Sequence, residues 1–225
     1  CSSDLGYVGL VTAVCLAEIG HLLQVVEVDE HKVEKLNNGI STIYEPGLTE
    51  LLERNISHGN ICFTGDSASV IKHSEVIFLC VGTPPKRDGS ADLSQIETAV
   101  REIVRNAHED EYKLIVVKST VPVGTSQQLR KLVREEAKGR RLNIEVASNP
   151  EFLREGSAVG DFMNPDRIVI GASTERAQAL LGSVYESFNC PKIFTTPETS
   201  EVIKYAANSF LATKISFINM VADLC

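Results

Sequence analysis

The stretch Ser148–Gly171, SNPEFLREGSAVGDFMNPDRIVIG, places a polar loop between two apolar, strand-like runs at 142–147 and 167–170. Pro150 and Pro165 restrict the residues before them to extended backbone shapes, so both ends of the loop are stiffened. Loops carried on a rigid sheet are where binding sites concentrate. The stretch therefore predicts a binding loop; the alternative is a solvated connection with a few helix-capping carboxylates.

Apolar runs of strand length alternate with helical patterns along the whole chain. Residues 75–81 and 113–117 are almost wholly apolar, which is typical of strands buried on both faces of a parallel sheet. Apolar residues recur at helical spacing in segments such as 8–19 and 125–137. Alternating strands and helices form βαβ units, so the sequence predicts an α/β fold with a Rossmann-like, doubly wound, mostly parallel sheet.

A long helix is predicted at 196–225, because Thr196 and Pro197 form a good cap and first turn. Its apolar positions cover a broader stripe than one neighbouring layer needs, so it is expected to join domains or subunits in a homodimer or higher homo-oligomer. No glycine or proline ends the pattern, which suggests a helix cut short. The predicted domains are 1–195, of Rossmann type, and 196–225, the start of a connecting helix.

Composition excludes several classes of function. The net charge of −8 over 225 residues argues against nucleic acid as a partner. The six cysteines form no CxxC pair, which favours a reducing compartment over disulfides or zinc, and the histidines suggest no metal site. No apolar run reaches membrane-spanning length and no signal peptide is evident, so no membrane is expected and the predicted location is cytoplasmic.

A glycine turn with the spacing of a dinucleotide site opens the first helix at Gly6, Tyr7, Val8 and Gly9. Glu27 follows at the end of the second predicted strand, where an acidic residue would accept hydrogen bonds from an adenosine ribose. An exposed strand end is the alternative for this glutamate.

The charges around this position favour NAD over NADP. Asp29 and Glu30 would repel a 2′-phosphate, and Lys32 lies one helical turn further on. Two departures weaken the glycine motif: Asp4 stands where its first glycine is expected, and only residues 1–3 replace the apolar first strand. The first strand is therefore predicted to be truncated.

Two further loops follow buried strands and should meet the glycine turn at one sheet edge. They are 81–85, with Val81 and Thr83, and 118–125, with Ser119 and Thr120. The threonine hydroxyls suit a ribose or amide, although such residues after strands are often helix caps.

Seven blocks in order, GYVGL, YEPGL, VGTP, KSTVPVGT, NPEFLREGSAV, NPDRIVIG and KYAANSFLA, resemble the UDP-glucose/GDP-mannose dehydrogenase family from Gly6 to the end of the chain. The resemblance implies NAD as the cofactor and a two-step oxidation of a nucleotide sugar to its carboxylate. The residues of the NPDRIVIG and KSTVPVGT blocks favour UDP-glucose as the implied substrate over GDP-mannose or a UDP-N-acetylhexosamine.

The same resemblance assigns roles to single residues. Residues 4–9 would cradle the pyrophosphate, and Glu27 and Lys32 would lie at the ribose. Glu151 would act with Thr120 through a water. The remaining implied cofactor contacts are Thr83, Thr120 and Glu155; the implied sugar-nucleotide contacts are Phe152, Leu153 and Arg154; and the implied oxyanion contacts are Lys204 and Asn208.

The family's nucleophilic cysteine, in a later GGxCxPKD segment, has no counterpart in these 225 residues. The chain is therefore expected not to turn over UDP-glucose by itself. One alternative is a non-catalytic nucleotide-binding or dimer-modulating module. Another Rossmann dehydrogenase, such as a hydroxyacid type, is disfavoured by NPEFLREG.

Overall fold

The computed structural model describes residues 6–225. The expectations about Asp4 and about a truncated first strand at residues 1–3 lie outside this range. The described helices are α1 Tyr7–Glu18, α2 Glu30–Asn37, α3 Leu48–Ser57, α4 Ser67–His73, α5 Ser94–Asn106, α6 Thr125–Ala137, α7 Ala158–Met163, α8 Glu175–Val184 and α9 Pro197–Leu224. The described strands are β1 Leu23–Val26, β2 Ile61–Thr64, β3 Val76–Leu79, β4 Tyr112–Val117, β5 Asn143–Ser148, β6 Ile168–Gly171 and β7 Lys192–Thr195.

The strands form a parallel pair, β1-β2, and a larger sheet in the order β3-β4-β5-β6-β7. Within the larger sheet all neighbours are parallel except β5 and β6, which are antiparallel and pair at Ser148 and Gly171. Helices follow most strands, as βαβ connections require. The predicted α/β, Rossmann-like and mostly parallel fold is confirmed.

Strand β4 lies between β3 and β5 and is buried along its whole length. Its side chains alternate between two apolar layers, because successive residues of a strand point to opposite faces. Leu114 and Val116 face the layer that includes α1 and α8, whereas Ile115 and Val117 face α5 and α6. The apolar run at 113–117 thus has the two-sided burial that its composition predicts.

The structure departs from the sequence-based expectations in three places. Val76 and Phe78 of β3 are only half-buried, so this strand is not covered equally on both faces. The stretch read as a loop contains the short helix α7, which Asn164 and Pro165 end. Strand β7 was not predicted, because only Ile193 and Phe194 mark it as apolar and both are largely exposed.

Helix α9 changes character along its length. Its first turns pack on β5 and β6, with Ser200, Glu201 and Lys204 buried. Its later turns expose a run of large apolar side chains: Phe210, Leu211, Ile215, Phe217, Ile218, Met220, Val221 and Leu224. That this helix joins domains or subunits stays a prediction. Across residues 6–225, no helix is both long enough and apolar enough to cross a membrane.

Gly171 allows the start of α9 to lie directly on the sheet. A Cβ at this position would stand 2.5 Å from the Cβ of Ser200 and 2.9 Å from both the Cα of Pro197 and the carbonyl oxygen of Thr196. Two of these atoms belong to the backbone, so they cannot yield as a flexible side chain would. Close contact between strand and helix therefore depends on the missing side chain.

We expect Gly171→Ala to lower the free energy of unfolding by about 1–3 kcal/mol, because the added methyl group overpacks the contact. Urea denaturation of the purified chain measures the change. Gly160→Ala is the matched control, since a Cβ on this helical glycine meets nothing within 4 Å. The control should be neutral or slightly stabilising through better helix propensity. Equal stability of the Gly171→Ala variant and the parent chain would contradict the packing argument.

Candidate functional site

The carboxyl ends of β3, β4 and β5 stop at the same level. Leu79 pairs with Val117, and Val117 with Ser148, so the residues that follow are neighbours at one edge of the sheet. Side-chain hydrogen bonds tie the two predicted edge loops together. The Ser119 hydroxyl donates to the carbonyl of Val81 at 2.6 Å, and the Thr83 hydroxyl donates to the carbonyl of Thr120 at 2.8 Å. The loops after β3 and β4 therefore meet, and their convergence with the glycine turn stays a prediction.

The glycine turn opens α1 as predicted. Gly6 is the extended N-cap residue, Tyr7 and Val8 form the half-buried first turn, and Gly9 is buried. The Tyr7 hydroxyl donates a hydrogen bond to the carboxylate of Glu45. Burial is the main cause, and this hydrogen bond the second cause, that raises the pKa of Tyr7 to about 12. The first turn of α1 is therefore anchored by a side chain from the YEPGL block.

Glu27 lies at the end of β1 with 1% of its surface exposed. Its carboxylate accepts the backbone N–H of Asp29 at 2.9 Å and lies 3.7 Å from the Nζ of Lys32. The alternative interpretation of Glu27 as an exposed strand end is wrong, because its carboxylate is buried and held by local donors. Glu27 and Lys32 do meet, as the predicted ribose site requires.

Glu45 joins the glycine turn to the loop that follows β5. Besides Tyr7, its buried carboxylate accepts the N–H groups of Gly156 at 2.9 Å and Ala158 at 2.7 Å. Burial acts to raise the pKa of Glu45, but the hydrogen bonds from Tyr7, Gly156, Ala158 and Val159 together outweigh it and lower the pKa. The exposed Glu155, a predicted cofactor contact, directly precedes Gly156 in this loop. The sequence pointed to YEPGL only as one block of the family resemblance and gave Glu45 no role.

A cavity of about 440 Å³ lies where the loop after β5 meets the first part of α9. Its lining includes all six residues predicted for the sugar nucleotide: Glu151, Phe152, Leu153, Arg154, Lys204 and Asn208. These positions are separated by about fifty residues of sequence, and the fold brings them together.

An ion pair closes one wall of the cavity. The Nζ of Lys204 lies 2.8 Å from Oε1 of Glu151, and their side chains are only 8% and 13% exposed. Lys204 also lies 5.4 Å from the centre of the Phe152 ring, and the guanidinium of Arg167 lies 4.6 Å from the same ring. Asn208, one helical turn beyond Lys204, is exposed at the cavity rim. Lys204 and Asn208 thus share the helix face that their spacing predicts.

Arg154 and Asp161 form a second ion pair at the cavity entrance, with contacts of 2.6 and 3.1 Å. The hydrogen bond from Arg154 is the main reason that the pKa of Asp161 is lowered. Oε2 of Glu151 accepts the N–H of Leu153 at 2.6 Å, which turns the loop tightly. Arg154 lines the cavity as predicted, but its charge is already matched within the chain.

Within the described residues, Glu151 and Thr120 make no direct contact that would support their predicted cooperation. Glu151 is held by Lys204 and by the N–H of Leu153, whereas Thr120 lies outside the cavity lining and is tied to Thr83. The structure places both residues at the same sheet edge without joining them.

The cavity floor contains residues that the sequence analysis did not single out. Lys118, Asn149 and Tyr185 line it together with the rings of Phe162 and Phe188. Lys118 is the first polar residue after the apolar run of β4, a signal that could have identified it. Tyr185 comes from the end of α8 and carries no comparable signal.

A buried carboxylate fixes the helix that supplies Lys204. Glu201 accepts the N–H of Gly124 at 2.6 Å and both the N–H and the hydroxyl of Ser126, at 2.8 and 2.7 Å. These donors belong to the first turn of α6, where a negative charge is favoured. Within residues 6–225 no group of His, Cys, Asp and Glu could hold a metal ion, and the described cysteines are free.

We expect Glu45→Gln to destabilise the chain by about 1–3 kcal/mol at neutral pH, because the amide cannot accept all the hydrogen bonds. The lowered pKa of Glu45 means that its contribution is complete above the ordinary value of 4.5 and is lost as the pH falls through the folded-state pKa. Urea denaturation at several pH values should show the difference from the parent chain shrinking on acidification.

The matched control for this measurement is Glu50→Gln, since Glu50 is exposed on the neighbouring helix α3. It should leave stability nearly unchanged. A difference between Glu45→Gln and the parent chain that stays constant down to low pH would contradict the role given to the charged carboxylate.

Comparison with known proteins agrees with the geometry. Residues 3–189 match the NAD binding domain of the UDP-glucose/GDP-mannose dehydrogenase family, and residues 198–225 match the central domain of the same family. The UDP-glucose 6-dehydrogenase TuaD of Bacillus subtilis is 48% identical over 98% of this chain and 47% of its own length. The UDP-glucose 6-dehydrogenase of Rhizobium meliloti is 47% identical over 98% of this chain and 51% of its own length. The chain spans about half the length of these curated relatives.

Two solved structures show the same fold. A UDP-glucose dehydrogenase from Pyrobaculum islandicum has a TM-score of 0.92 and 47% identity, covering 98% of this chain and 51% of that one. The GDP-mannose dehydrogenase of Pseudomonas aeruginosa also has a TM-score of 0.92, with 38% identity over 97% of this chain and 51% of that one. With the family match covering most of its residues, the chain belongs to the UDP-glucose/GDP-mannose dehydrogenase family, of which it carries the NAD-binding domain.

Proposed function

We propose that the chain is the N-terminal, NAD-binding portion of an enzyme that oxidises UDP-glucose to UDP-glucuronate in two steps. The observation that carries the proposal is the cavity beside the sheet edge, where Glu151, Phe152 and Lys204 meet. The family's cysteine segment is not among these 225 residues, so the chain alone is proposed not to turn over. Another nucleotide sugar, such as GDP-mannose, is the alternative substrate, and a non-catalytic binding module is the alternative function.

NAD would accept the hydride in both steps. Its adenosine end fits the first part of the chain, because Glu27 is buried at the end of β1 with its carboxylate already positioned. We assign the pyrophosphate to Gly6, Tyr7, Val8 and Gly9, and the ribose to Glu27 and Lys32. The rest of the cofactor is assigned to Val81, Thr83, Ser119, Thr120 and Glu155.

The sugar would occupy the cavity. Lys204 is buried and charged, and Asn208 is one turn away on the same face, so both can donate to an oxygen that gains negative charge as the alcohol is oxidised. Glu151, held by Lys204, is assigned to proton handling with Thr120 through a water. Phe152, Leu153 and Arg154 would form the walls that exclude bulk water.

The remaining proposals concern organisation. We assign residues 1–195 to the NAD-binding unit and 196–225 to the start of a connecting helix. The exposed apolar stripe of α9 supports its use in a homodimer or higher homo-oligomer. The free cysteines at 15, 62, 80, 190 and 225 are consistent with the proposed reducing, cytoplasmic location.

Calorimetric titration should show saturable binding of NAD and much weaker binding of NADP. We expect Glu27→Gln to weaken NAD binding about tenfold, since a charge-assisted hydrogen bond to the ribose becomes a neutral one. Glu30→Gln is the control, because Glu30 is exposed on the adjacent helix α2. If the parent chain is folded but does not bind NAD, the cofactor assignments are contradicted.

UDP-glucose should bind the chain, raise its melting temperature and be preferred over GDP-mannose. We expect Lys204→Met to weaken UDP-glucose binding about 10–100-fold and to leave NAD binding intact, because hydrogen bonds to a buried cation are lost only from the sugar site. Lys214→Met, on an exposed part of the same helix, is the control and should change neither affinity. Preference for GDP-mannose or a UDP-N-acetylhexosamine would redirect the substrate assignment, and NAD binding without any sugar nucleotide would favour the binding module.

A further inference from the structure

Lys118 is a buried lysine to which none of the roles above has been given. Its side chain leaves the carboxyl end of β4 and lines the cavity, yet only 4% of the residue is exposed. Within residues 6–225, the hydrogen-bond partner of its Nζ is the side-chain oxygen of Asn149, at 3.3 Å. An ammonium group carries three donors, so two of them lack protein acceptors in the described chain.

Within residues 6–225, the groups around Lys118 do not supply those acceptors. Asn149 shares the same oxygen with the hydroxyl of Tyr185, which donates at 2.6 Å. The ring of Phe162 has its centre 5.8 Å from the Nζ, and Phe188 packs against Phe162. In the described part of the chain, the wall behind the lysine is therefore aromatic, and the unused donors are left for a group in the cavity.

Within residues 6–225, no carboxylate forms an ion pair with Lys118. Of the carboxylates that line the cavity, Glu151 is paired with Lys204 and Asp161 with Arg154, and Asp166 is not among the groups that act on Lys118. Burial lowers the pKa of Lys118 and Lys204 lowers it further, whereas Cys80 and Glu151 act in the opposite direction. A buried cation without a counter-charge is costly, and an anionic ligand oxygen would remove that cost.

We propose that Lys118 binds the carboxylate of an oxidised sugar nucleotide, so that the cavity distinguishes a sugar acid from the parent sugar alcohol. The inference rests on the proposed function, because it takes the sugar to lie in this cavity. Lys118 would contact the carboxylate from the cavity floor, opposite the wall formed by Lys204. The neutral hydroxymethyl group of the unoxidised sugar offers no comparable charge.

Binding of the acid should be coupled to proton uptake. A carboxylate next to Lys118 favours its charged form and raises its pKa, so at a pH near or above the pKa of Lys118 in the free chain the amine takes a proton from solvent as the ligand binds. The titratable groups that face Lys118 are Cys80 directly after β3, Glu151 from the loop after β5, Lys204 from α9 and Tyr185 at the C-cap of α8. Affinity for the acid should fall as the pH rises through the pKa of Lys118.

The test is calorimetric titration of the chain with UDP-glucuronate and, separately, with UDP-glucose. Each titration is run at several rising pH values, each time in two buffers whose ionisation enthalpies differ, so that proton uptake appears as a buffer-dependent heat. We expect uptake with UDP-glucuronate and little with UDP-glucose. Lys118→Met, which retains an apolar chain of similar length, should weaken UDP-glucuronate binding at least about tenfold, abolish the uptake and change UDP-glucose affinity by less than about threefold.

Lys113→Met is the matched control. Lys113 is buried on β4, the strand that leads to Lys118, but its Nζ is paired with the carbonyl of Lys72 at 2.9 Å and with Glu111 at 3.0 Å, outside the cavity lining. Its loss can alter stability but should not change the preference for the acid. Circular dichroism establishes that each variant is folded, and the buffer comparison on the parent chain needs no variant at all.

The outcomes separate the two proposals. Binding of both nucleotide sugars with the same affinity at every pH, or equal weakening of both by Lys118→Met, contradicts the role of Lys118 and leaves the proposed function standing. A folded parent chain that binds NAD but neither nucleotide sugar contradicts the proposed sugar site, and the inference fails with it.

Discussion

The common level at which β3, β4 and β5 end is the constraint on which the candidate site depends. Parallel pairing of Leu79 with Val117 and of Val117 with Ser148 brings three loop starts side by side. The N–H of Lys118 then reaches the carbonyl of Leu79, and the N–H of Asn149 reaches that of Val117. A register shift of one residue would send every following side chain to the opposite face of the sheet.

The candidate site also requires that α9 lie against this sheet edge. A close glycine contact and a buried carboxylate hold it there. Gly171 lets the helix approach the sheet, and Glu201 satisfies the first turn of α6 while it is itself removed from water. Both contacts lie within one or two turns of Lys204. The position of a cavity lysine is thus determined by residues that lie outside the cavity lining.

The sequence predicted the structure correctly where a local pattern of residues determines it. The apolar run of β4, the cap at Thr196 and the four-residue spacing of Lys204 and Asn208 each specify structure without knowledge of distant partners. It failed where the partner is far along the chain. Glu45 acts on Gly156, more than a hundred residues away, and β7 is recognisable as a strand mainly because β6 pairs with it. Such contacts depend on the fold, which a single sequence does not display.

The buried charges near the sheet edge follow one rule with one exception. Glu45 and Glu201 are met by N–H groups, and Lys204 by a carboxylate, so folding itself compensates their desolvation. Lys113 obeys the same rule on β4, although it serves no site. Lys118, directly after this strand, has only a shared amide oxygen in the described chain. An ammonium that folding leaves uncompensated, and that faces a cavity, is better explained by a ligand than by the core, because packing alone would favour an apolar side chain there.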